Sequence, residues 1–334
     1  MKQLAIIILI FSAVISTAQA QWTKQTINTD AAFRGLSAVN DKVCWVSGTK
    51  GTVGRTIDGG KNWEVFKVPE ADKLDFRDIE AFSANVAYIL SIGDGENSRV
   101  YKTTDGGASW KLQFQNKNPK AFFDAFAFWD EQHGIAMSDS VDGKFILIST
   151  DNGGASWNEL KPAKIPAALP NEGGFAASGT CIIAKGKSDV WMVTGKSRVL
   201  HSSDRGKNWD VVEAPILTGI DSAGIFSIDF KDNKNGIIVG GDYREFKQPG
   251  KTVAITSDGG KTWAAIENQL PFRSGVVFVK NSIIAVGTSG TNISKDGGKS
   301  WQQLNSENYN VVSVAKSGAV WAAGPKGLIS KLEK

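Results

Sequence analysis

The sequence has very few of the residues that build metal and nucleophilic centres. Among its 334 residues there are two cysteines and two histidines. So few cannot form a cluster with recognisable metal-ligand spacing, and no metal site is predicted. No glycine motif of the dinucleotide-binding type precedes a predicted helix either, so we expect no cofactor.

Strong charge and long apolar runs are also lacking. Lysine and arginine total 38 against 34 acidic residues, a net charge of +4, and no basic run occurs. This balance gives no reason to expect nucleic-acid binding. After residue 20 no stretch is long and apolar enough to span a membrane, so no membrane span is predicted.

The first 20 residues differ from the rest of the chain. MKQLAIIILIFSAVISTAQA has Lys2, an apolar run over residues 4–14 and an A-x-A sequence that ends at Ala20. These features predict a signal peptide cleaved between Ala20 and Gln21, and therefore a periplasmic or secreted protein. No cysteine follows the predicted cleavage site, which argues against a lipid anchor.

Glycine and tryptophan are abundant, with 36 and 11 copies, and they recur together in one short pattern. Residues 256–263 read TSDGGKTW, in which Asp-Gly-Gly is a strong signal for a hairpin turn. The pattern occurs six times, and its tryptophans are Trp63, Trp110, Trp157, Trp209, Trp263 and Trp301. Five residues before them stand Asp58, Asp105, Asn152, Asp204, Asp258 and Asp296. These side chains are expected to stabilise their own turns.

The spacing of the copies predicts the class of fold. The intervals between the tryptophans are 47, 47, 52, 54 and 38 residues, which is the period of a repeat architecture. Each unit has short apolar segments separated by turn residues, as in residues 275–304, and this predicts a four-stranded antiparallel sheet. Such sheets repeated at this period predict an all-β fold, the β-propeller.

The number of units predicts how the ring closes. Six copies give six units, and strand-like segments follow at residues 310–315, 320–323 and 328–332 without a fourth. Residues 21–28 contain Trp22, which resembles the tryptophans of the other fourth strands. We therefore predict seven blades in a single domain over residues 21–334, closed by this N-terminal strand against the last one.

In a ring of this kind Cys44 and Cys181 fall in blades 1 and 4. They are then too far apart for a disulfide, and two buried thiols are expected. Trp45, Trp191 and Trp321 fall in predicted second strands, and most tryptophans are expected to pack between blades.

With its six boxes the chain resembles Asp-box (BNR) repeat proteins, which include sialidases, sortilin-type receptors, some glucanases and the photosystem II assembly and stability factors. A box in six of seven blades is most similar to the photosystem II factors. The segments GIAMSDSVDGKF (134–145), FAASGTC (175–181) and VGGDYREF (239–246) are similar to their secreted bacterial relatives. The resemblance implies that the boxes are structural and lie away from the ligand face.

In a propeller the loops that enter first strands and those that join second to third strands share one face, called the upper face here. Eight residues on these predicted loops are candidates for a binding face: Arg34, Arg77, Asp124, Asp139, Asp242, Tyr243, Arg244 and Arg273. Arginines from different blades would converge at the channel mouth and bind carboxylate or phosphate. In the alternative interpretation each arginine pairs with a neighbouring aspartate, such as Asp78 or Asp124, and seals the face.

These observations predict an exported, monomeric, non-enzymatic scaffold that binds a protein partner or an anionic ligand on the upper face. The alternative is a sialidase-like or other glycan-active or glycan-binding propeller. Sialidase candidates in the sequence are Arg34, Arg77, Arg273, Tyr243 or Tyr309, Glu245 and Asp58. The Arg-Ile-Pro motif of sialidases is missing, because blade 1 reads AFRGLS, and no Tyr–Glu pairing can be assigned.

Overall fold

The structure, a computed structural model, describes residues 21–267 and 269–333. The predicted signal peptide lies outside the described residues. Seven four-stranded antiparallel sheets follow one another, and in six of them the strands are ordered as in the sequence. Their first strands contact one another all the way round a ring. The predicted seven-bladed, all-β propeller is confirmed.

Strand β1 is Gln21–Lys24. Blades 1 to 3 contain β2 (Phe33–Ala38), β3 (Cys44–Gly48), β4 (Thr52–Thr56), β5 (Glu64–Lys67), β6 (Asp75–Ala81), β7 (Ala87–Ile92), β8 (Arg99–Thr103), β9 (Lys111–Gln115), β10 (Phe123–Phe128), β11 (Gly134–Val141), β12 (Lys144–Thr150) and β13 (Asn158–Leu160). A short 3-10 turn at Gly95–Asn97 precedes β8.

Blades 4 to 7 contain β14 (Ile182–Lys185), β15 (Asp189–Val193), β16 (Arg198–Ser202), β17 (Asp210–Glu213), β18 (Ala223–Phe230), β19 (Gly236–Asp242), β20 (Val253–Thr256), β21 (Ala264–Ala265), β22 (Gly275–Val279), β23 (Ser282–Gly287), β24 (Gly290–Ser294), β25 (Gln302–Asn305), β26 (Val311–Val314), β27 (Val320–Ala323) and β28 (Ile329–Glu333).

The ring closes through the N-terminal strand, as predicted. Strand β1 is antiparallel to β28, with Trp22 opposite Leu332, and it provides the fourth strand of blade 7. The pairing ends at Lys24, which is earlier than the predicted Asn28, because the chain then turns toward blade 1, where Ile27 packs. This closure covers the edge that β28 would otherwise expose.

Burial differs between the inner and outer strands of a blade. Strand β3 is buried along its whole length, whereas β5 and β21 are mostly exposed. Neighbouring blades cover both faces of an inner strand, so its sequence is apolar throughout rather than alternating. The core is accordingly a series of apolar clusters between blades.

The boxes have one geometry in all six copies. The hydroxyl oxygen of the leading Ser or Thr accepts the N–H of the second glycine at 2.8–3.0 Å. In the copy at 256–263, Asp258 Oδ1 accepts the N–H of Thr262 at 3.0 Å. The hydroxyl and the N–H of Thr262 lower the pKa of Asp258 to about 2. Gly259 and Gly260 have φ of 81° and 88°, the left-handed region that favours glycine.

Most tryptophans pack between blades. The ring of Trp63 lies edge-on to Trp321 with centroids 5.8 Å apart, and Trp110 lies edge-on to Trp45 at 6.3 Å. Each box tryptophan stands one residue before its fourth strand rather than inside it, because it still belongs to the turn. Cys44 and Cys181 are buried free thiols.

Side chains also connect the first strands of neighbouring blades. The hydroxyl of Ser37 accepts the N–H of Ala81 at 3.0 Å, and the carboxyl of Asp78 accepts that of Phe126 at 2.8 Å. Burial raises the pKa of Asp78 well above its usual value. These bonds fix the first strands that carry the upper face. In the described part of the chain no helix is long and apolar enough to cross a membrane.

Candidate functional site on the upper face

The two kinds of upper loop lie side by side, as predicted. The N–H of Gly51, between β3 and β4, donates to the carbonyl of Leu74, which precedes β6, at 3.0 Å. The boxes lie on the opposite face, where the N–H of Gly59 donates to the carbonyl of Lys42 in the first hairpin of its blade. The upper face is therefore separate from the boxes.

A β-bulge marks the upper end of the first strand in three consecutive blades. The pairing shifts register between Phe33 and Gly35, between Phe76 and Asp78, and between Phe123 and Ala125. The extra residues are Arg34, Arg77 and Asp124. Because a bulge leaves one residue out of the ladder and turns its side chain, it can present these groups at the mouth of the channel.

Residues 174–180, named the channel segment, lie across that mouth. The carbonyl of Ala177 accepts Arg34 Nη1 of blade 1 at 2.9 Å, and the carbonyl of Ala176 accepts Arg77 Nη1 of blade 2 at 3.1 Å. The hydroxyl of Ser178 donates to the carbonyl of Ser274, before blade 6, at 2.7 Å. A segment that enters blade 4 and also bonds blades 1, 2 and 6 crosses the ring and therefore lies over its axis.

Arg34 and Arg77 lie close together, half-buried, but their partners differ. Arg77 Nε donates to Asp75 at 2.8 Å, so this arginine is paired with a carboxylate, as the alternative interpretation predicted for a different aspartate. Arg34 forms no ion pair with any residue that the structure describes. Burial lowers the pKa of Arg34 to about 10, and the charge of Arg77 acts in the same direction. Arg34 therefore remains charged at neutral pH.

Asp124 and Asp139 come together beneath the channel segment. Asp124 is 2% exposed, and burial, followed by the negative charge of Asp139, raises its pKa well above the usual value. Burial raises the pKa of Asp139 to about 6. The backbone N–H of Gly174 acts in the opposite direction on both pKa values. The backbone of Gly173 lies against Asp139 and that of Gly174 against Asp124, so the two carboxyls pack under the start of the channel segment.

Aromatic side chains form the other side of the channel segment. Phe175 stacks on Phe226 with ring centroids 3.8 Å apart, and Phe272 meets Phe226 edge-on at 4.7 Å. Tyr243 lies edge-on to Phe226 at 6.3 Å and is 43% exposed. Ala177 belongs to the same cluster, which links the aromatic side chains to the carbonyl bound by Arg34.

The long loop before blade 4 is held by a buried ion pair. Glu172 is 1% exposed and accepts Arg198 Nη1 at 2.6 Å and the hydroxyl of Thr194 at 2.8 Å. The N–H of Leu169 donates to the same carboxylate at 2.7 Å. With its charge paired and bonded in this way, Glu172 fixes the loop on blade 4 and with it the entry to the channel segment.

The structure places the other predicted face residues in different surroundings. Arg273 is 1% exposed and turns into blade 6, where its guanidinium donates to Asn292, to Ser289 and to the carbonyl of Phe272. Asp242 Oδ1 accepts the N–H of Arg244 at 2.9 Å and shapes the turn that carries exposed Tyr243. Arg273 thus supports the face from below and is not available at its surface.

The sialidase candidates do not assemble. The hydroxyl of buried Tyr309 donates to Ser330 at 2.7 Å, inside blade 7. Asp58 lies in a box on the opposite face, and Arg273 is inside blade 6. Of the three candidate arginines only Arg34 and Arg77 come together.

Several residues that build the face were not found from the sequence. Phe226 and Phe272 were not among the predicted face residues, and Glu172 and Arg198 are 26 residues apart. The sequence signal for this region is the segment FAASGTC (175–181). It is similar to the secreted bacterial relatives but does not indicate where the segment lies in the fold.

Comparison with known sequences finds the same class of protein that the six boxes indicate. The family described as Photosynthesis system II assembly factor YCF48 matches residues 14–124. A chloroplastic photosystem II stability/assembly factor HCF136 from Guillardia theta is 24% identical over 221 residues, which cover 61% of this chain and 53% of that protein. The photosystem II assembly lipoprotein Ycf48 of Picosynechococcus sp. is 22% identical over 298 residues, which cover 74% of this chain and 78% of that one.

An enzyme is found at a similar sequence identity. A sialidase of Bacteroides fragilis is 24% identical over 231 residues, and these cover 64% of this chain but 37% of the enzyme. The chain thus spans about half of the first of these relatives and about a third of the sialidase.

Solved structures agree in fold. A structure described as YCF48 bound to D1 peptide has a TM-score of 0.67 at 16% identity and covers 95% of this chain and 98% of its own. YCF48 from Cyanidioschyzon merolae has a TM-score of 0.66 at 18% identity, covering 94% and 99%. The resemblance of this chain to Asp-box propellers of the photosystem II assembly-factor class is confirmed.

Proposed function

We propose that the protein is a non-enzymatic scaffold that binds a peptide segment of a protein partner on its upper face. The observation that carries the proposal is Arg34, a half-buried guanidinium without a carboxylate partner among the described residues. A cation at the mouth of the channel, beside exposed Tyr243 and stacked Phe175, suits a peptide with one carboxylate and one apolar side chain. A fold neighbour that is described with a bound D1 peptide supports this kind of ligand.

Each part of the face has a role in this proposal. Arg34 provides the charge, since only its Nη1 is used by the carbonyl of Ala177. Arg77 is partly neutralised by Asp75 and supports the charge of Arg34. Tyr243 offers a ring with a polar end, which favours protein contacts. The proposal defines the partner by its chemistry. It is a peptide segment with a free carboxylate and a neighbouring apolar side chain.

The first experiment is capture of partners from an extract of the native cell envelope. The tagged mature protein is compared with an Arg34→Gln/Arg77→Gln variant, whose amides can still donate to the two carbonyls of the channel segment. Lys61→Gln/Lys111→Gln, which removes two charges at exposed positions away from the face, controls for the loss of charge. We expect the double variant alone to lose the partner.

Peptides from the captured partner then test the chemistry. Each is measured by fluorescence anisotropy as the free carboxylate and as the amide. The carboxylate should bind roughly tenfold or more tightly, since a hydrogen bond to a charged group contributes about 1.5–3 kcal/mol. Equal capture by wild type and double variant, or equal affinity of acid and amide, removes the Arg pair from the site.

A glycan-active propeller is the second candidate, and the sialidase relative supports it. Among the residues that the structure describes no tyrosine hydroxyl bonds a glutamate carboxylate, as the chemistry would need, and the mouth is covered by the channel segment. Hydrolysis of a panel of sialosides and glucans by the wild type would reverse this choice. We expect no turnover above a heat-inactivated control.

Export is part of the proposal, because the first 20 residues read as a signal peptide and two relatives are named lipoproteins. N-terminal sequencing of the protein purified from its native host should begin at Gln21. A retained Met1 or recovery only in the cytoplasm would contradict export.

A further inference from the structure

The crevice between two blades is closed on the box face by an aromatic ring and a basic side chain. In blade 7 Trp321 of β27 lies opposite Lys331 of β28, and the ammonium stands 4.9 Å from the ring centre. In blade 2 Lys102 stands 4.8 Å from the ring of Tyr88 in the same way. Blades 1 and 4 use Trp45 with Arg55 and Trp191 with His201. The box of the next blade packs against these rings.

Blade 5 has neither the ring nor the base. The positions equivalent to Trp321 and Lys331 are Ile237 and Ile255, which pair directly across β19 and β20. Two aliphatic side chains are shorter than a ring covered by a lysine, and a cavity of about 460 Å³ opens between blades 5 and 6. Blade 3, which has Ile135 at this position, fills its crevice with Trp129 instead.

The cavity has a basic end. Lys231 of blade 5 and Lys280 of blade 6 both line it, and neither forms an ion pair with any residue described. The amide oxygen of Asn281 accepts Lys231 Nζ at 3.4 Å. The carboxylate of Asp232, the residue after Lys231, accepts the N–H groups of Lys234 and Asn235 in its own turn, so its oxygens are already hydrogen-bonded. An anionic group bound here would therefore meet two ammonium groups without a competing carboxylate in the lining.

The rest of the lining suits a hydroxylated ring. Asn235, Asn281 and Ser257 line the cavity with polar groups, and Phe278, which is partly exposed, adds an apolar wall. The amide N–H groups of Asn235 donate to Asp232, which leaves its amide oxygen for a ligand. The volume lies in the usual range for small-molecule sites, about 300–1,000 Å³. Polar groups of this kind fix hydroxyls, and an aromatic face receives the C–H side of a sugar ring.

We propose that this crevice binds a small hydroxylated carboxylic acid, of the class of sugar acids, with the carboxylate at Lys231 and Lys280. The site is on the box face, so it does not depend on the function proposed for the upper face. It is also specific to one interface, because the other crevices that face a box are filled by aromatic side chains.

The test is calorimetric titration of the mature protein with three probes: D-glucuronate, D-glucose and inorganic phosphate. We expect glucuronate to bind, glucose to bind at least roughly tenfold more weakly because it lacks the charge, and phosphate to bind weakly because it lacks the ring. Phosphate that binds as well as glucuronate, or a wild type that binds none of the probes, overturns the proposal.

Two variants locate the site. Lys231→Gln/Lys280→Gln should lower the affinity for glucuronate roughly tenfold or more, whereas Lys61→Gln/Lys111→Gln, with the same change of charge at exposed positions elsewhere, should not. Ile237→Trp/Ile255→Lys rebuilds the pair found in blade 7 and should abolish binding by filling the crevice. If the rebuilt variant fails to fold, the lysine pair alone decides. Unchanged affinity in that lysine variant places any binding elsewhere.

Discussion

Replacing Thr103 with valine tests what holds a box together. The side chain is 1% exposed, and its hydroxyl accepts the N–H of Gly107 at 2.9 Å and donates to Asp105 at 2.8 Å. Valine has the same shape but no hydroxyl, so the buried N–H of Gly107 loses its partner. An unsatisfied buried donor costs about 1–3 kcal/mol.

This loss can be converted into a melting temperature. A domain of about 310 residues has an unfolding entropy of roughly 0.65 kcal/mol/K, at about 2.1 cal/mol/K per residue. Thr103→Val should therefore lower the melting temperature by about 2–5 °C, as measured by circular dichroism or calorimetry. Thr103→Ser keeps the hydroxyl, as Ser202 and Ser294 do in other boxes, and should lose less.

The neighbouring Thr104 provides the matched control. It lies in the same turn, is exposed and makes no hydrogen bond with the described residues. Thr104→Val should stay within about 0.5 kcal/mol of the wild type, as surface substitutions do. The reasoning fails if Thr103→Val melts with the wild type, or if both valine variants lose the same amount.

Three further predictions follow from buried groups. Because burial raises the pKa of Asp139 to about 6, its contribution to stability is present below about pH 4 and is lost as the pH rises through 6; Asp139→Asn should flatten the melting temperature between these values. Glu172→Gln leaves Arg198 unpaired and should cost up to about 3–5 kcal/mol, with hydrogen exchange rising first in the loop before blade 4; unchanged exchange there would contradict its role. Cys44 and Cys181 should not react with a thiol reagent in the native protein and should both react in denaturant, since burial raises both pKa values; rapid native labelling would contradict their burial.

The architecture was predictable because its signals are local. A hairpin turn of fixed chemistry recurs six times, and each copy fixes the place of two strands, so the blade boundaries follow from counting. Apart from β1, which is four residues shorter than predicted, predicted and observed strands differ by about a residue, as at residues 301–304 against Gln302–Asn305. The difference arises because the indole N–H of Trp301 donates to Gly298 and keeps this residue in the turn.

The upper face was less predictable, and Arg273 shows why. The segment PFRS of blade 6 is similar to AFRG and DFRD of blades 1 and 2. The sequence therefore predicts that Arg273 lies beside Arg34 and Arg77. The first two arginines stand in bulges, whereas β22 pairs with β23 without a shift of register. Arg273 therefore precedes its strand and turns into its own blade toward Asn292. A bulge depends on pairing between strands, which the shared pair Phe-Arg does not encode.

The two faces of this propeller are built by different rules. On the box face one turn is repeated six times with nearly the same hydrogen bonds, so any blade there can be understood from another. On the upper face each loop is different, and the channel segment depends on contacts that no other blade repeats. The repeated turn uses few residues to build a rigid ring, and the sequence of the upper loops can therefore vary. The two sites proposed here lie where the repeat ends: at the channel segment above, and below at the crevice between blades 5 and 6, where a box meets Ile237 and Ile255 instead of an aromatic side chain.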